Sequence, residues 1–330
     1  RYATFGKDGE ENCHPRRRLN NWMTRNLVVA GNFNMTNVDE LFDLLVSIGQ
    51  HPKERSDTMT VLEKIGHFLD VENDRIAHHY RELGYDERRI SQVIAEQLDV
   101  RRILVNSALD FDGGYALAGM IGHGDAFVLR DPAGIRPAYW YADEEVVVVA
   151  SERPAIQTAF DLRTEVVNEL TPGHALIIRK DGTYGEEMVR EPQEKRSCSF
   201  ERIYFSRGSD RDVYRERIAL GRSVCPAILE AIDHDLENTV FSFIPNAAEV
   251  ACYGMLKAMD DEFDRVKERR ILELGAGVDP TKLRAILALR PRLEKVAIKD
   301  AKLRTFITAD DARDDLVAHA QRVGDSALQR

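Results

Sequence analysis

The chain has 330 residues, 46 basic and 56 acidic side chains, a net charge of −10 and 43% hydrophobic residues. That length suits about two domains, the hydrophobic share supports packed cores rather than disorder, and the acidic balance argues against a nucleic-acid or anionic-membrane surface as the main business of the chain. No apolar run approaches the roughly 20 residues of a bilayer crossing, and the four cysteines, Cys13, Cys198, Cys225 and Cys252, lack the CxxC spacing of a zinc ribbon and are too few for a disulfide framework; a reducing, cytoplasmic setting fits best.

Arg1–Gly6 reads as the end of a strand and a turn, without the basic and apolar regions of a signal peptide, so the chain reads as entered mid-domain. Residues 26–30 (NLVVA) predict a short strand, with Gly31-Asn32 as the turn that ends it. Asn37 or Asp39 can cap a helix to about Ile48, with Leu41, Phe42, Leu45 and Val46 on one face. Ser56 or Asp57 caps a longer helix in which Val61, Leu62, Ile65, Phe68 and Leu69 recur at helical spacing. A third helix is expected from Asp86 to Val105.

The texture then changes. Short apolar runs at 115–122, 126–130, 145–150 and 175–179 alternate with Gly122-His123-Gly124, Asp131-Pro132-Ala133-Gly134 and Lys180-Asp181-Gly182, which is turn chemistry. Two runs are apolar on both alternations, as in a sheet covered on both faces. Helices followed by antiparallel hairpins predict an α+β layered domain with helices packed on stacked sheets.

The charged stretch 186–196 (EEMVREPQEKR) predicts a boundary, giving domains 1–190 and 191–330. Beyond it, Ile203-Tyr204-Phe205 is strand-like, a helix is expected over 212–232, a strand over 239–244 ending at Pro245-Asn246, and a helix from Ala247 to about Met259. Strand followed by helix predicts an α/β unit with a parallel sheet. Residues 260–290 carry no assignment, except that Gly275-Ala276-Gly277 reads as a helix stop rather than a phosphate turn. The acidic run Asp310–Asp315 reads as a solvated helix face.

Several side chains of the first domain carry complementary chemistry. Arg1 with Thr4 offers a guanidinium and a hydroxyl for a small carboxylate. Asn32 offers an amide for a developing oxyanion beside a backbone N–H, and Asp57 an acceptor for an ammonium group. Together these describe a pocket for a free α-amino acid. Each also has an ordinary reading: Asn32 as a turn residue, Asp57 as a helix cap, Arg1 as a solvated charge, and the Asp131–Pro137 loop as scaffold.

The segments RYATFG, AGNFNMTNVDELF, SDT, GGYALAGMIGHGDAFVLRDPAGIRP, ASERPAI and TPGHALII, in that order, resemble the glutaminase domain of class II glutamine amidotransferases. The junction CSFERIYFSRGSD, Cys198–Asp210, is similar to that of the glutamine phosphoribosylpyrophosphate amidotransferase family. The resemblance covers most of residues 1–255. It implies an N-terminal-nucleophile hydrolase αββα sandwich followed by the start of a phosphoribosyltransferase-like parallel-sheet domain. It further implies that Arg1, with Thr4 beside it, binds the glutamine carboxylate, that Asp57 binds the ammonium, and that Asn32 with the backbone of Phe33 forms the oxyanion hole. Phe33 stands where the family usually has Gly. The basic segment 294–304 resembles the loop near the phosphoribosyl substrate, assigning Lys299, Lys302 and Arg304 to that side.

The family reaction has two coupled steps. A cysteine thiolate attacks the glutamine amide and releases ammonia, which then displaces pyrophosphate from phosphoribosylpyrophosphate to give 5-phosphoribosylamine for purine synthesis. The nucleophile must be an N-terminal cysteine. Residue 1 is Arg, and the acidic pair followed by a Gly/Thr-rich phosphate turn is missing too, so this chain alone is expected to show neither turnover. The resemblance implies glutamine and phosphoribosylpyrophosphate as partners, Mg2+ accompanying the latter, a homo-oligomer, and no nucleic-acid or membrane partner. No protein metal site is expected. An iron–sulfur cluster needs four thiolates, and Cys13, Cys225 and Cys252 show no pattern matching Cys198, so none is expected. Two alternatives stay open: a non-catalytic glutamine-binding or oligomerisation module, and a glutaminase domain serving another amination, such as hexosamine or asparagine synthesis.

Overall fold

The structure, a computed structural model, describes residues 14–275 and 278–296. Its contacts separate the chain into Arg1–Cys198 and Ser199–Arg330. The division falls later than the expected 190/191 because the polar stretch is tied to the first unit. Gln193 N–H donates to Pro132 O and Arg196 N–H to Ala133 O, both at 2.8 Å, and Lys195 pairs with Glu169 at 2.9 Å.

In the first unit, β1 (Arg16–Arg18), β2 (Leu27–Met35), β3 (Gly113–Ile121), β4 (Ala126–Arg130), β8 (His174–Ile178) and β9 (Tyr184–Met188) form one sheet in the order β1-β2-β3-β4-β8-β9. Every neighbouring pair is antiparallel. A smaller sheet has the order β6-β5-β7, from β5 (Tyr139–Ala142), β6 (Val147–Ala150) and β7 (Asn168–Glu169). The helices are α1 (Val38–Ser47), α2 (Asp57–Glu82), α3 (Glu87–Gln97), α4 (Val100–Ala108) and α5 (Arg153–Phe160).

Three apolar clusters show how these parts pack. Val61, Leu62, Ile65 and Leu69 of α2 and Ile103 and Leu104 of α4 meet Leu27, Val29, Phe33, Leu117, Phe127 and Ile177 of the large sheet. Val128 and Leu176, on the other face of that sheet, meet Ala138 and Leu170, with Trp140, Val147 and Val149 of the small sheet. Tyr139 of the small sheet and Ile156 of α5 form the third. The runs in β4 and β8 are therefore apolar on both alternations because each serves two cores.

Some expectations need correction. Gly31-Asn32 is no turn: β2 continues through Met35 in nine-residue register with β3, Gly31 opposite Leu117 and Asn32 opposite Ala116. Only glycine fits at 31, where a Cβ would lie 2.4 Å from Ala116 O. The helix expected over 86–105 is two helices, because Asp99 accepts from Arg102 N–H and caps a new one. In α1, Leu41 and Leu45 are buried but Val46 is exposed.

The second unit is mostly helical. Its helices are α6 (Arg211–Ala231), capped by Asp210 accepting from Asp212 N and Val213 N, α7 (Glu249–Glu273) and α8 (Pro280–Leu287). Cys225, Leu229, Cys252, Met255, Met259 and Phe263 form the core between α6 and α7. Three expectations change here. Residues 201–205 form a π-helical turn, not a strand; the strand expected over 239–244 is only β10 (Val240–Phe241); and α7 runs well past Met259. The expected parallel sheet is, among the described residues, one pair between β10 and β11 (Arg292–Leu293). Gly275, φ 64°, lies just past the end of α7, as a helix stop requires, while Ala276 and Gly277 lie outside the described residues. Among the described residues no helix is long and apolar enough to cross a membrane.

Candidate functional site

Asn32 and Phe33 lie at the middle of β2, and Asp57 is the first residue of α2. Arg1, Thr4, Lys299, Lys302 and Arg304 lie outside the described residues, as do Cys13 and Asp310–Asp315.

The backbone of β2 sorts its donors by edge. Thr36 N–H donates to Asp112 O and Gly122 N–H to Asn26 O, so even-numbered residues of this segment face β3. Gly31 N–H, by contrast, donates to His14 Nδ1 at 3.3 Å on the opposite edge. Alternation puts Phe33 N–H on that same edge, beyond the end of β1. Phe33 has no positive φ, so its Cβ is accommodated without strain. Its ring is 3% exposed and fills the helix-side core. Asn32 takes the other face of the pleat and is partly exposed.

At the helix start, the two capping candidates divide the work. Ser56 is the cap, its Oγ accepting from Met59 N–H at 3.3 Å. Asp57 is thus released from capping. Its Oδ1 accepts from Thr58 N–H at 2.7 Å and from Thr58 Oγ1–H at 3.2 Å, while Oδ2 has no hydrogen-bond partner among the described residues. The carboxylate is half-buried at the positive end of a 26-residue helix.

His14 joins the two segments. Its ring stands edge-on to Phe33 with centroids 5.3 Å apart, Nδ1 meets Gly31 N–H, and Nε2 lies 3.3 Å from Thr58 Oγ1. The neighbours of Asn32 and of Asp57 therefore touch one imidazole. Sequence reasoning missed His14 and Thr58, since neither carries a spacing signal and their meeting is across 44 residues.

The Asp131–Pro137 loop is scaffold. The fully buried Asp131 carboxylate accepts from Ile135, Arg136 and Tyr115 N–H groups at 2.8–3.3 Å. Buried Arg130 donates to the carbonyls of Arg136, Leu170 and Gly134 and pairs with Glu169 at 2.9 Å. Two further buried titratable groups escaped the sequence reading. Lys64 pairs with Asp110 at 2.8 Å over the Phe111 ring, and burial pulls its pKa below the ordinary lysine value. His123 lies 3.2 Å from Asp125, which Arg179 also holds; burial pulls this imidazole down. Cys225 and Cys252 are buried thiols with raised pKa values, caused by desolvation, and so are poor nucleophiles.

No family model matches the chain. Amidophosphoribosyltransferase of Methanothermobacter thermautotrophicus is 26% identical over 264 residues, covering 78% of this chain and 47% of that protein. The Pasteurella multocida protein of the same name is 28% identical over 206 residues, covering 59% and 36%, and that of Escherichia coli 28% over 233 residues, covering 67% and 42%. Among solved structures, glutamine phosphoribosylpyrophosphate amidotransferase from B. subtilis, complexed with ADP and GMP, superposes with a TM-score of 0.58 at 24% identity, over 93% of this chain and 54% of that one. A structure described as the allosteric regulatory enzyme of purine biosynthesis superposes with a TM-score of 0.59 at 24% identity, over 96% and 54%. The chain is similar in sequence to amidophosphoribosyltransferases at modest identity and shares their mixed α/β fold. It spans about half the length of the relatives it matches, or less.

Proposed function

We propose that the chain is part of a divergent amidophosphoribosyltransferase, whose whole protein uses glutamine to aminate phosphoribosylpyrophosphate to 5-phosphoribosylamine, releasing glutamate and pyrophosphate. On this reading the first unit, Arg1–Cys198, is the glutaminase domain, an αββα N-terminal-nucleophile hydrolase sandwich, and Ser199–Arg330 begin a phosphoribosyltransferase-like domain. The packing of helices and stacked sheets through three apolar clusters supports the first half. The shared name of the curated relatives supports this acceptor over hexosamine or asparagine synthesis.

The observation that carries the reading is the meeting of the β2 and α2 segments at His14. On this reading three sets of groups serve one amino acid. Asp57 Oδ2 takes the ammonium by a charge-assisted hydrogen bond. Phe33 N–H and the Asn32 amide donate to the oxygen that becomes negative when the side-chain amide is attacked. Arg1 and Thr4 take the carboxylate. In the whole protein a cysteine thiolate attacks the side-chain amide carbon, the amide nitrogen takes up a proton and leaves as ammonia while the tetrahedral intermediate collapses to a thioester, and water cleaves the thioester to glutamate. The ammonia lone pair then displaces pyrophosphate at the phosphoribosyl carbon, a step assigned to the side of Lys299, Lys302 and Arg304. Mg2+ would travel with the pyrophosphate substrate; among the described residues no three of His, Cys, Asp and Glu gather as a metal set, so none of them is assigned to it. A homo-oligomer in the cytoplasm completes the proposal.

Calorimetric titration of the chain with L-glutamine tests it. Binding is expected, and Asp57→Ala should weaken it at least about tenfold, the cost of losing one charge-assisted hydrogen bond. Equal affinity in the two proteins would remove Asp57 from the site.

A further inference from the structure

We propose that His14 is a positioning residue of the amino-acid site, a neutral imidazole that ties the strand bearing Asn32 to the helix start bearing Asp57; the inference rests on the glutamine-site reading above. The direction of its hydrogen bonds follows from one fact. Gly31 N–H always carries its hydrogen, so the nitrogen 3.3 Å from it, Nδ1, must accept. A neutral ring then holds its proton on Nε2. Nε2–H points its donor at Thr58 Oγ1, 3.3 Å away. With that oxygen accepting from the ring, its own hydrogen goes to Asp57 Oδ1 at 3.2 Å, where Thr58 N–H also donates.

The result is a one-way chain of donors: Gly31 to His14, His14 to Thr58, Thr58 to Asp57. It begins one residue before Asn32 and ends on the carboxylate. It occupies Oδ1 and so leaves Oδ2 as the atom that meets an ammonium group. The edge-on Phe33 ring, 5.3 Å between centroids, limits how far the imidazole can turn, so the chain is set before any ligand arrives. Preorganisation of this kind reduces the ordering cost on binding. His14 itself touches no reacting atom.

Two readouts on the full chain test this. The first needs no ligand. Long-range proton–nitrogen NMR of the His14 ring should find Nδ1 unprotonated and Nε2 carrying the hydrogen, with the Nε2 signal moving in Thr58→Val. A ring protonated on Nδ1 overturns the proposal. The second is L-glutamine titration. His14→Leu should weaken binding about tenfold, because both hydrogen bonds that tie the strand to the helix start are lost. His14→Gln, whose side-chain oxygen can accept from Gly31 while its NH2 donates to Thr58, should recover most of the affinity. Equal affinity in His14→Leu and wild type, or no recovery in His14→Gln, overturns the role of His14 while leaving the glutamine site in place. If His14→Leu does not fold, Thr58→Val cuts the same chain at the hydroxyl and carries the same expectation. A wild-type chain that binds no glutamine removes the site reading and the role of His14 with it, whatever the ring's protonation.

Discussion

Asp57 is available to a ligand because its neighbour does the capping. A single-residue shift, with Asp57 as the cap, would spend the carboxylate on backbone N–H groups; instead Ser56 takes Met59 N–H and Oδ2 of Asp57 is left over. Ser-Asp at a helix start admits both outcomes, which is why the sequence named the pair without choosing between them. Lys64 illustrates a different cost at the same scale. Its side chain is 2% exposed beside Asp110, and burial outweighs the carboxylate in lowering its pKa. The unfolded chain then holds that proton more tightly than the folded one. Folding must gain stability as pH rises from the lowered folded value toward the ordinary lysine value of about 10.4. Tyr115 acts in the opposite sense. Burial pushes its hydroxyl up to about 12, so the unfolded chain releases its proton first and stability falls above about pH 10. Melting temperatures of wild type and Lys64→Met separate the two. The wild type should gain on the variant as pH rises toward about 10; a constant or shrinking difference would show that Lys64 is not held against its charge.

Elements with their own periodic signal were legible. The apolar spacing of α2 and the doubly apolar runs of β4 and β8 match the buried residues found there. Elements that exist only through pairing were not. β1, β5, β7 and β9 are two to five residues long, and β9 carries Glu186 and Glu187, which an edge strand tolerates and which read as a linker in sequence. The same dependence on partners extended β2 through Gly31-Asn32, a dipeptide that favours a turn until β3 lies beside it. In the second unit, α6 and α7 approach through glycine. A Cβ at Gly221 would lie 1.8 Å from Ala251 O, and one at Gly254 2.1 Å from Ile218 O. Neither contact involves a side chain that could swing away. Gly221→Ala should cost about 1–3 kcal/mol in urea unfolding, the range of overpacked cores. A loss below about 0.5 kcal/mol, the surface-substitution range, would mean that the helices do not meet there.

At the scale of the whole molecule, the chain covers roughly half of its curated relatives, and its candidate groups are unevenly placed. Asn32, Phe33 and Asp57 were named from the sequence, and their surroundings meet; Arg1, Thr4, Lys299, Lys302 and Arg304 lie outside the described residues. What the sequence lacked was the link. His14 is one histidine among nine and carries no motif of its own; only the fold brings it against both Gly31 and Thr58. The account stands on the claim that the middle of β2 and the start of α2 are two walls of a single amino-acid pocket. Backbone NMR of the chain titrated with L-glutamine measures this directly. The amides of Gly31, Asn32, Phe33, Asp57 and Thr58 should shift together along one saturation curve, with D-glutamine producing much smaller changes. Shifts confined to one of the two segments, or centred elsewhere in the chain, would contradict it.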